Sequence, residues 1–400
     1  MTRWKAAIVL LNLFAAAFYV LVGWLSGYLG HPGANVFQSP DSQQYRDVGD
    51  WIFQWRSMPE ASIVRPFLYP LLLGLADHAG GGVGVWLLNV LLWFAALNIG
   101  AAAAARLART YWAAVVVFIA IATNVSLILL TFQGLTEITT LALLCVWMYG
   151  LSRSTLQPTP AGVAWTLLPV ALLVVVKPEF ELLLGLMVIV LAVKIVRAPS
   201  SGAAAVLIAC LVPVAIQVGV MARFNHYVGL SAIGDVTLRK YFLARLEIAI
   251  GNAANMAAAR TLTIGLGNFE IARLVLNHIG EAIAVFAQTL KDNLLAGTNF
   301  IAVNRLLNRV VELTNLAYVA VLVVLIPLAG AALWRGRDLR LALLCAAILN
   351  IMVAGGLSFD QGDRLTVIAL PLWATVLVMA SKELFTRREA ASRTFGLKNA

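Results

Sequence analysis

No charged side chain stands between Lys5 and Asp41. That run is longer than the roughly 20 apolar residues a helix needs to cross a bilayer. Comparable runs recur along most of the chain. A backbone in such a setting must satisfy its own hydrogen bonds, and a helix does this within one segment. The 400 residues are 61% hydrophobic and 12% charged, with a mean hydropathy of +0.88. Soluble domains carry about 45–50% apolar and about 25% charged residues. The composition therefore excludes a water-soluble enzyme and a disordered chain. Cys145, Cys210 and Cys345 each sit in an apolar run. They make neither a disulfide framework nor a metal-type spacing. The chain reads as an all-α polytopic membrane protein.

About ten spans are expected. They cover about Ala6–Gly30, Val83–Ala105, Tyr111–Thr131, Thr136–Ser152, Ala161–Val176, Glu179–Val196, Ala203–Ala222, Leu313–Trp334, Leu341–Phe359 and Leu365–Ser381. Arg3 and Lys5 resemble the basic start of a signal peptide. The apolar stretch behind them is too long for one, and no convincing cleavage site follows, so it reads as a retained anchor. Phe67–Ala76 is too short to span and is expected at the interface. Lys177-Pro178-Glu179 reads as a tight hairpin or a re-entrant turn. Two connections are long, residues 31–82 and 223–312, within a single membrane domain covering 1–400.

The net charge of +10 is first a matter of orientation. With ten spans, the termini and short basic connections share one side. That side carries 15 basic and three acidic residues, a charge of +12, against 14 and 16, or −2, for the remainder. The excess reads as a cytoplasmic face with both termini on it, not as a nucleic-acid surface. Both long loops then lie outside, with 16 of the 19 acids and all four histidines. Chemistry, if present, belongs there.

Within the first outer loop, Ser39-Pro40 is a helix start, a side-chain cap followed by proline at the first helical position. Asp41 falls in the first turn, and Tyr45, Val48, Ile52 and Trp55 share one side. An aromatic face suits a helix lying in the headgroup region. Asp41 is either a carboxylate base held over the membrane or an acid that stabilises its helix. Arg65, in Arg65-Pro66-Phe67-Leu68-Tyr69-Pro70, is either a two-pronged phosphate ligand or an interfacial anchor. Glu137 opens a strongly apolar helix and needs a partner or a watery cavity. Lys177, Glu179 and Glu181 form a further cluster, in which Lys177 and Glu181 are spaced to pair along a helix. Arg364 is a phosphate ligand or a local partner of Asp360. Apolar residues at helical spacing over Phe269–Leu295 suggest one amphipathic helix, either a lid over a site or a packed cap. His31, His78, His226 and His278 lack metal-ligand spacing. Asn124-Val125-Ser126 matches a glycosylation sequon, but inside a span.

Taken together, these features resemble the GT-C superfamily of membrane glycosyltransferases that use polyprenyl-phosphate sugars. Protein mannosyltransferases and the aminoarabinose transferases of lipid A belong to it. The resemblance rests on Asp41 to Tyr45, Arg65 to Pro70, Glu137, and Asp363-Arg364 ahead of Pro371. Leu365 stands where an aromatic is usual. The resemblance implies a GT-C-like fold with interfacial helices in both long loops. It implies a bacterial inner-membrane enzyme acting on the periplasmic face. Its donor would be a polyprenyl-phosphate-linked sugar, and its acceptor a hydroxyl on a lipid, glycan or protein. It makes Asp41 the catalytic base and Arg65, Lys177 and Arg364 the donor-phosphate ligands. Glu137, Tyr45 and Tyr69 are placed on the acceptor side, and a divalent metal shared by Glu137 and Asp41 is left open. A transporter or flippase of lipid-linked sugars is the alternative. Against it stand the absence of an evident repeat and the near absence of charge at mid-span.

Overall fold

A computed structural model of the chain describes residues 2–54, 57–154, 158–297, 304–336, 338–359 and 361–396. Trp55, Arg337, Asp360 and Lys398 lie outside the described residues, as do the side chains of Arg3, Lys5, Arg387, Arg388, Glu389 and Arg393. Every regular element among the described residues is helical. Six helices are long and apolar enough to cross a membrane: Ala6–Leu25, Leu68–Leu107, Ser201–Asn225, Arg305–Gly336, Leu339–Leu357 and Gly362–Leu384. The other four expected spans correspond to shorter helices. Three of these, Glu137–Arg153, Pro160–Val176 and Glu181–Arg197, have 17 residues each. Trp24, Trp112 and Trp334 are exposed near helix ends, as suits rings at a membrane–water boundary. The chain is an integral membrane protein.

The fourth is a correction. The expected 111–131 span breaks into Tyr111–Ala122 and Val125–Leu130. Asn124 leaves the helical region and caps the second piece, accepting from Leu127 N at 2.8 Å. The irregular stretch behind it is buried at the centre of the molecule. Asn89 Nδ2 donates to Thr131 O at 3.2 Å and Gln133 O at 2.8 Å, while Gly134 N donates to Val36 O. Non-helical backbone at membrane depth is tolerated where protein groups satisfy it in this way. This stretch delivers Glu137 to the start of the most deeply buried helix, which packs Trp147 and Met148 into the core. Asn124 and Ser126 of the sequon are buried.

The short apolar segment is a helix whose hydrogen bonding runs on into the next span, giving Leu68–Leu107. Backbone torsions separate the two pieces at Gly80 and Gly81. Gly81 has φ +60° and ψ −154°, which only glycine adopts readily. The first-loop helix, Pro40–Gln54, lies on the near piece. Ser39 caps it through Ser42 N at 3.1 Å, so Asp41 is held in the first turn as its sequence implies. Tyr45 and Val48 are buried against protein. The two helices meet through glycine: a Cβ at Gly49 would lie 2.9 Å from Pro70 O and 3.2 Å from Gly74 Cα. Gly49→Val is therefore expected to destabilise the protein by about 1–3 kcal/mol, the ordinary cost of overpacking. The thermal unfolding midpoint in detergent reads this, and an unchanged midpoint would mean the helices are not pressed together.

The basic connections gather at one end. Lys382 Nζ donates to Ala108 O and Arg109 O, each at 3.1 Å, and Arg340 donates to Ser154 O at 2.8 Å. In the second long loop, the expected 269–295 helix divides at His278 into Asn268–Asn277 and Ile279–Leu295. His278 has φ −125° and ψ 42°, outside the helical region. The break lets Ile271 pack with Phe242 and Leu246 while Ala282 and Val285 turn to the same small core. These helices share a small apolar core of their own.

Candidate functional site

Asp41 lies between two guanidinium groups. Its Oδ1 is 2.5 Å from Arg65 and its Oδ2 is 2.7 Å from Arg364. Burial pushes the Asp41 carboxyl up, but Arg364 and Arg65 outweigh it and hold the group below its usual range. Arg65 precedes Pro66 in the bend that leads into the Leu68 helix. It also donates to Gln44 Oε1 from Nε and from the terminal nitrogen it shares with Asp41, at 3.0 and 2.8 Å. Its other terminal nitrogen donates to the Tyr45 hydroxyl at 3.2 Å. Its guanidinium carbon stands 4.6 Å from the centre of the Tyr45 ring. Tyr69 meets the Tyr45 ring edge-on, at 4.9 Å between centres, and is fully buried behind it.

Arg364 also donates to Gln361 and has Nε 3.9 Å from Glu137 Oε1. Glu137 Oε1 is in turn 3.7 Å from Lys177, and Lys177 is 3.5 Å from Glu179. The six groups form one chain of alternating sign: Arg65, Asp41, Arg364, Glu137, Lys177, Glu179. The expected pairing of Lys177 with Glu181 does not occur. Pro178–Phe180 forms a 3-10 turn, so the two residues do not follow one another on a continuous helix. That turn gives the hairpin expected between the Pro160–Val176 and Glu181–Arg197 helices.

Two buried amides and a buried acid place Arg364. Its short helical turn, Gly362–Leu365, begins at Gly362 with φ +61°. Asp363 points the other way, accepting from Ser126 Oγ and from Asn315 Nδ2 at 3.0 Å. Asn293, on the Ile279–Leu295 helix, donates to Gly355 O and Ser358 O and accepts from Gln361 N at 3.1 Å. The Ile279–Leu295 helix thus fastens the Arg364 turn without lining the cavity.

All six charged groups line a cavity of about 760 Å³. Tyr45 lines it too, whereas Tyr69 is not among its lining residues. From the second long loop the lining comes from the 227–241 stretch, not from 269–295. Leu182, Val214, Val218, Leu230 and Ile233 give one wall an apolar character. Sequence reasoning did not single out Gln44, Gln361 or Asn293, and it read Glu179 only as one of a cluster. Gln44 and Gln361 each lie three residues from a charged site residue, the one local signal available.

A metal shared by Asp41 and Glu137 does not fit this arrangement. The Arg364 guanidinium reaches both carboxylates. Among the described residues, no group of three or more His, Cys, Asp or Glu side chains is placed to hold an ion.

The fold is similar to that of ArnT from Cupriavidus metallidurans, solved bound to undecaprenyl phosphate. The TM-score is 0.54 at 12% identity, covering 97% of this chain and 64% of that one. The chain therefore spans less than two thirds of that protein's length. The fold is GT-C-like, as the loop motifs imply. No family model and no curated protein matches the sequence.

Proposed function

We propose that the chain is a membrane glycosyltransferase of the bacterial inner membrane. It moves a sugar from a polyprenyl-phosphate donor to an acceptor hydroxyl on the periplasmic face, with both termini cytoplasmic. The observation that carries this reading is the Asp41 carboxylate held between the half-buried Arg65 and the buried Arg364 guanidinium groups in a cavity lined partly by apolar side chains. Binding of undecaprenyl phosphate by a protein of the same fold supports it.

The chemistry follows from the groups present. Asp41 takes the proton of the acceptor hydroxyl as that oxygen bonds to the sugar's anomeric carbon. The bond from that carbon to the phosphate oxygen breaks, and its electron pair leaves with the polyprenyl phosphate. The leaving group gains negative charge, which fixed guanidinium groups stabilise in a poorly hydrated site. A single displacement inverts the anomeric centre.

Arg65 and Arg364 are the phosphate ligands in this assignment. Together with Asp41 they carry a formal charge of +1. Lys177 stands with two carboxylates, Glu137 and Glu179, in a group of formal charge −1. An anion is drawn to the first group and repelled by the second.

Right-side-out membrane vesicles given undecaprenyl-phosphate-linked sugars and an envelope lipid fraction test the reading. The expected result is release of undecaprenyl phosphate with formation of an inverted glycoside. Movement of the intact donor across the membrane without release would favour the transporter instead. Turnover confined to inverted vesicles would reverse the assigned side.

A further inference from the structure

At the Lys177 end of the charged chain, three polar atoms make no hydrogen bond among the described residues. They are Glu137 Oε2, Lys177 Nζ and Glu179 Oε1, and all three are buried. The Glu137 side chain is only 3% exposed, yet it lines the cavity. The ion pairs among the three are long, at 3.7 and 3.5 Å. Buried polar groups ordinarily find partners, so this trio, held only by long ion pairs, has hydrogen-bonding capacity left for a ligand.

The mounting is rigid. Lys177 N is tied to Leu173 O at 2.7 Å, and Glu179 O accepts from Asn350 Nδ2 at 2.8 Å. Phe180, next along, is fully buried. The Lys177-Pro178-Glu179 turn therefore holds its two charged side chains at the cavity from a fixed backbone.

The donor and acceptor inventory selects the ligand. A phosphate only accepts from basic groups, and two carboxylates beside one ammonium disfavour it. A sugar ring offers neighbouring hydroxyls, each able to donate to a carboxylate and accept from an ammonium. We propose that Glu137, Lys177 and Glu179 form a subsite that holds the hydroxyls of the donor's sugar and so sets which sugar is used. The inference rests on the glycosyltransferase reading. It assigns Lys177 to the sugar, not to the phosphate, and brings in Glu179. The link through Arg364, which faces both Asp41 and Glu137, puts this subsite next to the phosphate ligands.

The test is lipid binding to the purified protein in nanodiscs, read by native mass spectrometry. The probes are bare undecaprenyl phosphate and undecaprenyl phosphate carrying a hexose, a 2-acetamidohexose or a pentose. The wild type is expected to prefer at least one glycosylated lipid over the bare one by about tenfold, the worth of a hydrogen bond to a charged group. Glu179→Gln and Lys177→Met should each abolish that preference while still binding the bare lipid, more tightly in Glu179→Gln and less tightly in Lys177→Met because the local charge rises or falls by one, and this binding also shows that they fold. Retention of the preference in both variants would overturn the assignment and leave the trio to an acceptor. A wild type without any preference would overturn it as well. Failure of every lipid to bind would instead sink the glycosyltransferase reading itself.

Discussion

Asp41→Asn is expected to lower sugar transfer by about 10²–10⁴-fold, the usual worth of a general base. Binding of undecaprenyl phosphate should not fall with it. Asparagine keeps the size of the side chain and removes its charge. Arg65 and Arg364, which now share the carboxylate at 2.5 and 2.7 Å, would then face the phosphate without a competing anion. The loss should therefore sit in kcat, with KM for the donor unchanged or reduced. A matching rise in KM, or full activity in the variant, would remove Asp41 from the role of base.

The same clamp fixes the pH dependence. Burial alone would raise the Asp41 carboxyl, but the two arginines bring it below the ordinary carboxylate value of about 3.9. The proposed base acts in its ionised form, so transfer should persist as pH falls toward that value. Arg65→Gln removes one cation, and the acid limb of the pH profile should move upward. Stability follows the same sign. A depressed carboxyl stabilises the fold above its unfolded pKa and loses that contribution as pH falls through the folded one.

Much of this was legible in the sequence because each charged residue interrupts an apolar pattern. Asp41 and Arg364 are 323 positions apart, yet they touch because each lies at the end of a helix on the same side of the molecule. Topology alone brings such ends together. The partners were less legible. Lys177 faces Glu137 and not Glu181 because helix packing and a proline turn, not spacing along one helix, decide the pair. Thr123 and Asn124 interrupt the apolar run too briefly to read as a loop, and asparagine's preference for a helix cap was the one signal of the break there. The irregular stretch that follows depends on Asn89, a distant residue that satisfies the carbonyl groups of Thr131 and Gln133. The 227–241 stretch is equally silent. Its residues line the cavity through the path of the loop, which no short motif records.

Arg364→Met is expected to cost about 3–5 kcal/mol of stability and to abolish transfer. The side chain is 7% exposed and reaches Asp41, Gln361 and Glu137 from one short turn. Methionine fills much of the volume but leaves Glu137, 3% exposed, with one cation in place of two, Lys177 at 3.7 Å. Breaking a buried pair from one side strands a charge, and that desolvation cost dominates. Arg364→Lys should not rescue activity. One ammonium cannot present the separate nitrogens through which the guanidinium reaches Asp41 and Glu137. Arg364→Met combined with Glu137→Gln removes both charges and should recover part of the lost thermal midpoint without recovering transfer. That split separates the contact Arg364 makes with a buried acid from the role proposed for it as ligand of the leaving phosphate. If the double variant regained transfer, the phosphate would have to rest on other residues. If it regained no stability, the contact with Glu137 at 3.9 Å would carry no weight in the fold.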